Sequence, residues 1–287
     1  MKILLLTLFT LQIYSSIASE KAVYGRDDRV SYSEVSPQFR RLGDATAGMI
    51  QLSKLKDRGS YYEFTSKILG EQMMGNQFRN GYLCSDEKFY SEELLPVCSG
   101  FLIGPDTLLT AGHCVTGPKS CKKNIWSFGL GLDKIRSGSL SKNNIYKCKH
   151  VIKRGSSPRD FALIKLDRVV SGVTPFKLSS RKVKVGDKVL TIGHPSNLPL
   201  KFALNGTVKS YKKNLFKTDL DTFAGNSGSP VILKSTKEVV GILVKGALDY
   251  EKDLSRGCFV ANKCLSYAQG ADCLGEGVTP VYKLLSL

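Results

Sequence analysis

The sequence predicts an all-β protein of many short strands, and two observations carry that reading. Short apolar runs bounded by Gly, Pro, Asn or Ser recur along the 287 residues, while sustained helical periodicity is scarce. Tight-turn signals, Gly186-Asp187 and Asn205-Gly206, stand between the runs. No fixed-period repeat is visible.

Taken in order, the chain opens with Met1-Lys2-Ile3-Leu4-Leu5-Leu6 and stays apolar to about Ile17, with small residues in Ser16-Ile17-Ala18. A positive start, an apolar stretch and a small-residue end predict a signal peptide over 1–18, cut after Ala18, and hence a secreted (extracellular or periplasmic) protein. Gln12, Ser15 and Ser16 interrupt the run, and no later segment has the length and apolarity of a bilayer span, so no transmembrane anchor is expected. Residues 19–44 are polar and charged and read as a leader or short propeptide, or as an arm outside the main body. Ala47–Leu52 is the first substantial strand. Residues 57–95 are too long for an ordinary hairpin loop. Within them Ser66–Glu71 has room for a helical turn, and the acidic Asp86-Glu87-Lys88 and Glu92-Glu93 lack the spacing of an EF-hand loop. These acids read as a solvated surface loop. Phe101-Leu102-Ile103 and Leu108-Leu109 form the next pair of strands, followed by Phe161–Leu166. Gly172, Pro175 and several serines break the pattern over Val169–Lys182, and strands resume at Lys188–Ile192 and Val239–Val244.

Eight cysteines in an exported chain read as disulfides. Cys98 and Cys114 flank the strand-turn-strand that leads to His113, and we expect them to be bridged. The other six leave their connectivity open. No metal or cofactor is expected: Cys258, Cys264 and Cys273 lack a tight zinc-ligand spacing. Net charge is +17, from 42 Lys plus Arg against 25 Asp plus Glu. Such a surface attracts anionic surfaces through long-range electrostatics. The lysines are scattered without interleaved aromatics, so specific nucleic-acid binding is not expected.

The chemistry concentrates in two segments. Gly225-Asn226-Ser227-Gly228-Ser229-Pro230 places a serine in a glycine-flanked turn, and Thr110-Ala111-Gly112-His113-Cys114 places a histidine beyond two apolar runs. A serine hydroxyl is a weak nucleophile until a base takes its proton. Asp160, just before the strand Phe161–Leu166, lies between them in the chain and can orient that base. His150 and His194 have no comparable setting. The order His113, Asp160, Ser227 resembles that of chymotrypsin-type (trypsin-like) serine proteases, whereas an α/β-hydrolase requires the serine first. The Gly-Asn-Ser-Gly-Ser-Pro form resembles the bacterial secreted branch that includes glutamyl endopeptidases.

The resemblance covers about residues 45–285. It implies two six-stranded antiparallel β-barrels, about 45–170 and 180–285, with the active site in the cleft between them. It further implies a secreted serine endopeptidase acting on proteins or peptides through an acyl-enzyme, with Ser227 as nucleophile, His113 as base and Asp160 as orienter. The N–H groups of Gly225 and Ser227 would form the oxyanion hole. Mammalian relatives carry an aspartate where Asn226 stands, so an ion pair between that aspartate and a freed N-terminus is not available here. Four residues fall at substrate-binding positions. Asp221, six residues before Ser227, would pair with a substrate Arg or Lys. Thr222 matches a substrate-contacting threonine of the glutamyl branch. Leu243 stands where that branch has its glutamate-recognising histidine, and Lys245 lies on the pocket-edge strand. Cleavage after Arg or Lys is the specificity expected. The competing reading is a catalytically inactive cationic homologue that binds anionic surfaces.

Overall fold

The computed structural model describes residues 21–71, 81–212, 214–264, 273 and 275–284; the predicted signal lies outside them. The described chain begins with two short strands, β1 (Val23–Tyr24) and β2 (Arg29–Ser31), and a helix, α1 (Pro37–Asp44). Pro37 opens α1, where a missing N–H costs no helical hydrogen bond. Six strands then follow: β3 (Thr46–Gln51), β4 (Cys98–Gly104), β5 (Thr107–Thr110), β6 (Asn124–Phe128), β7 (Ile145–Gly155) and β8 (Phe161–Leu166). They close into a barrel in the order β3-β4-β5-β8-β7-β6. A second set comprises β9 (Lys188–Gly193), β10 (Lys201–Lys212), β11 (Leu215–Thr218), β12 (Pro230–Leu233), β13 (Val239–Lys245) and β14 (Glu276–Pro280). These run β9-β12-β13-β14-β11-β10, and pairing of β9 with β10 closes them as well. Closure leaves no free edge inside either set, which short antiparallel strands otherwise expose.

The continuous apolar runs have a direct explanation. Leu102, Leu108, Trp126 and Ile164 fill the first barrel, and Val189, Val208, Phe216, Val231 and Val278 fill the second. Between the barrels lies a further cluster drawn from both, with Phe101, Leu109 and Phe161 against Leu190, Ile192, Phe202, Ile232 and Ile242. Phe101 and Leu102 are sequence neighbours yet sit in different clusters, so both faces of β4 are buried. A strand buried on both faces reads as a block of apolar residues rather than as an alternation.

Residues 21–44 pack against the barrels. Strand β2 adds a seventh strand to the second barrel by pairing with β10, with Ser31 opposite Lys201 and Val30 opposite Phe202. Strand β1 pairs in parallel with Lys263–Cys264. Tyr32, Phe39 and Leu42 pack on the inter-barrel cluster.

The long segment after β3 is also tied down. Lys56–Asp57, Tyr61–Glu63 and Ser139–Ser141 make a small sheet, Leu69–Glu71 forms a single 3-10 turn, and a disulfide joins Cys84 to Cys258. The acidic stretch is not uniformly solvated. The Lys201 ammonium, on a residue only 2% exposed, donates to both oxygens of Glu92 at 2.8 and 2.6 Å. A buried ammonium needs such an anion, and nothing local to Glu92 reveals a partner so distant in the chain. Two further disulfides join Cys121 to Cys148 and Cys264 to Cys273.

Candidate active site at the junction of the barrels

His113 follows β5, and Asp160 immediately precedes β8, its neighbour in the barrel, so the ladder that pairs Thr110 with Ala162 brings them together. The Asp160 carboxylate accepts the main-chain N–H of His113 at 2.9 Å through one oxygen and contacts the ring Nδ1 at 2.5 Å through the other. Two contacts to one carboxylate fix both the position and the orientation of the ring. With Nδ1 engaged by the carboxylate, Nε2 is the ring nitrogen left for another partner. A Cβ at Gly112 would come within 2.3 Å of the Gly155 carbonyl and 2.7 Å of Asp160 Oδ1, so only glycine allows this approach. Arg154 Nε donates to the Gly112 carbonyl at 2.9 Å and holds the turn from the far side. The His113 side chain is 45% exposed and accessible to a substrate.

Ser227 lies in the turn before β12 and is half-buried. Its turn is coupled to the first barrel through Ser99, a fully buried residue of β4 that the sequence reading did not single out. Ser99 N–H donates to the Ser227 carbonyl at 2.8 Å, and Ser99 Oγ donates to the Gly225 carbonyl at 2.9 Å. Thr110 Oγ1 donates to the Ser99 carbonyl at 2.6 Å. Its neighbour Cys98 is disulfide-bonded to Cys114, next to His113. One residue pair of β4 therefore braces both the histidine segment and the serine turn. On the other side, Gly228 N–H donates to the Leu243 carbonyl at 2.7 Å, and Leu243 N–H to the Ser229 carbonyl at 3.0 Å. Leu243 is buried and serves the turn through its backbone. The N–H groups of Gly225 and Ser227 donate to no group among the described residues.

The other histidines stand apart. His150 is exposed on β7. His194 is fully buried, its Nδ1 lies 3.0 Å from the Leu198 carbonyl, and burial pushes its pKa down to about 4. A neutral loop histidine is the result. Asn226 is 2% exposed, and its side-chain oxygen accepts from Ser229 Oγ at 3.3 Å.

The residues expected at substrate-binding positions make contacts that the sequence does not reveal. Asp221 is 3% exposed, and its two oxygens accept the N–H groups of Tyr24 and Asp28, each at 2.8 Å. Burial pushes its carboxyl up to about 8, with the Asp28 and Asp27 carboxylates adding to that effect and the two N–H donors opposing it. Asp221 therefore anchors the N-terminal segment, with both oxygens engaged by main-chain donors. The sequence offset located the residue, but it could not show that residues 21–31 fold back onto it. Thr222 Oγ1 donates to Glu276 Oε2 at 2.7 Å, deep against β14, and Glu276 is a second buried carboxylate that the sequence reading missed. Lys245 is exposed at the end of β13, opposite Gly277.

The anchoring role has a measurable consequence. Asp221→Ala leaves two part-buried N–H groups without acceptors, at up to about 1–3 kcal/mol each. We expect the melting temperature to fall by roughly 5–10 °C, with activity lowered equally on basic and neutral substrates. A selective loss of cleavage after Arg or Lys, with unchanged melting, would instead put Asp221 in the substrate pocket.

Two closed barrels with a paired His–Asp and a braced serine turn at their junction define the architecture of a trypsin-like peptidase. The family model described as trypsin-like peptidase domain matches residues 98–242, half of the 287-residue chain, and the protein belongs to that family. A protein described as HBP is similar at 15% identity with a TM-score of 0.51, over 86% of this chain and 90% of its own. A Glu endopeptidase is similar at 20% identity and a TM-score of 0.47, covering 86% and 94%. A serine endoprotease from Yersinia pestis is similar at 16% identity and a TM-score of 0.49, covering 90% and 65%.

Proposed function

We propose that this chain is an active, secreted serine endopeptidase that cleaves proteins or peptides. The observation that carries the reading is the double contact of Asp160 with His113, ring and main chain, on a segment braced to the Ser227 turn. Ser227 Oγ attacks the scissile carbonyl carbon while His113 Nε2 takes its proton. Asp160 stabilises the imidazolium that forms. The carbonyl oxygen becomes an oxyanion and receives the N–H groups of Gly225 and Ser227, which donate to no other group among the described residues. His113 then gives its proton to the leaving amine, and water hydrolyses the acyl-enzyme by the same steps in reverse roles. The predicted signal and the four disulfides support export.

A fluorophosphonate probe tests this reading, because only an activated serine reacts with it. We expect a single adduct on the peptide containing Ser227, lost on prior denaturation. A native chain that stays unlabelled at Ser227 while binding anionic surfaces would establish the inactive cationic homologue instead.

A further inference from the structure

The loop Asp221–Gly225 leads directly into Ser227 and carries one of the two oxyanion N–H groups. Four of its fixed contacts come from the N-terminal segment. Asp221 holds the N–H groups of Tyr24 and Asp28 at 2.8 Å. Thr222 N–H donates to the Ala22 carbonyl at 3.2 Å. The Arg29 guanidinium lies 3.8 Å from the centre of the Phe223 ring, with Phe89 on it at 5.3 Å. Ala224 N–H, one residue further on, donates to the buried Asp249 at 2.8 Å.

Arg29 is itself rigidly held. Its side chain is 3% exposed. Asp27 accepts from its Nε at 3.0 Å and from a terminal nitrogen at 2.6 Å, and β2 pairing sets Arg29 opposite Ala203 of β10. Burying a guanidinium is costly even when paired, and a leucine would fill the same space without that cost. What the guanidinium adds is a flat cation stacked on one ring and clamped by a carboxylate, a geometry that locks the ring's position. Asn226, meanwhile, carries no charge that a freed amine could pair with, and the N–H of Val23 donates to the Asn262 carbonyl at 3.1 Å as an ordinary amide.

We propose that Arg29, clamped by Asp27 and stacked on Phe223, is the positioning residue that sets the oxyanion loop, so that the internal segment 22–29 takes the part an activating N-terminus plays in mammalian relatives. The proposal rests on the serine-endopeptidase reading for its catalytic consequence. Its structural part, order in the loop, stands separately. Two things follow. The exact N-terminal residue upstream of Ala22 is immaterial to turnover, and a cut after Arg29 inactivates.

The test compares the full mature chain with Arg29→Met and Arg29→Lys. For Arg29→Met we expect kcat to fall about 10- to 100-fold, short of the loss from deleting an oxyanion donor outright, with KM changed less than about threefold. Fluorophosphonate labelling should slow by the same factor as kcat, and Arg29→Lys should recover part of both. Amide hydrogen exchange at Ala224 and Asn226 should quicken about tenfold in Arg29→Met. A folded Arg29→Met with wild-type kcat and unchanged exchange overturns the proposal. If the wild type itself is not labelled, the endopeptidase reading fails, while the exchange measurement still decides the positioning role. Should Arg29→Met not fold, wild-type chains beginning at residue 19, 20 or 21, all of which keep the Ala22 carbonyl, provide the second measurement. Equal turnover for all three is expected, and activity confined to one N-terminus would refute the internal latch.

Discussion

Ser227→Ala is expected to lower kcat for peptide hydrolysis by about a million-fold while leaving thermal unfolding unchanged. The two halves of that expectation have different causes. Without the oxygen there is no nucleophile to form the acyl-enzyme, and His113, however well oriented, has no proton to take. The fold survives because Ser227 supports its turn through its carbonyl, which accepts from Ser99 N–H at 2.8 Å, and that group is untouched. His113→Ala should be about as damaging, since a neutral hydroxyl without a base is unreactive at the same scale. Retention of more than a thousandth of wild-type kcat by purified Ser227→Ala would assign the nucleophile to another residue.

The second large effect belongs to Gly225→Ala. Gly225 has φ of +96°, a region that an L side chain rarely adopts. An added Cβ would stand 2.3 Å from the His194 carbonyl and 3.0 Å from Asn197 N, both main-chain atoms that cannot swing aside. The loop must shift, and the Gly225 N–H leaves the place where charge develops on the oxygen. Loss of one such donor lowers kcat by about a hundred- to a thousandfold. Burst kinetics with an ester substrate would read this as slowed acylation with the His113–Asp160 pair intact. A Gly225→Ala chain acylating within threefold of wild type would remove Gly225 from the oxyanion hole.

Much of the candidate site is legible in the sequence because the His–Asp contact and the serine turn each need rare local geometry. Gly112 before His113 and the Gly225–Pro230 turn around Ser227 are short-range signatures, and each records a space or backbone angle that only glycine satisfies. The strands are legible for a related reason. Residues such as Phe101-Leu102 and Leu108-Leu109 must be apolar on both faces, one filling a barrel and the other the joint between barrels.

Contacts that join distant parts of the chain left no such trace. Ser99 is an unremarkable serine in a strand until β4 places it under the Ser227 turn. Glu92 reads as one more surface acid until the barrel buries Lys201 against it. Asp221 shows the limit most clearly. Its distance from Ser227 is a property of the chain, but what its carboxylate binds depends on where residues 24–28 travel, and backbone N–H groups, which every residue but proline carries, are invisible as a sequence pattern. The sequence by itself determined the strand-rich fold and the order of His113, Asp160 and Ser227, because periodicity and glycine placement are local. Only the tertiary structure decided that the N-terminal segment is built into the second barrel and takes Asp221 and Phe223 as its anchors, because a hydrogen bond or stacked cation across some two hundred residues is chosen by packing.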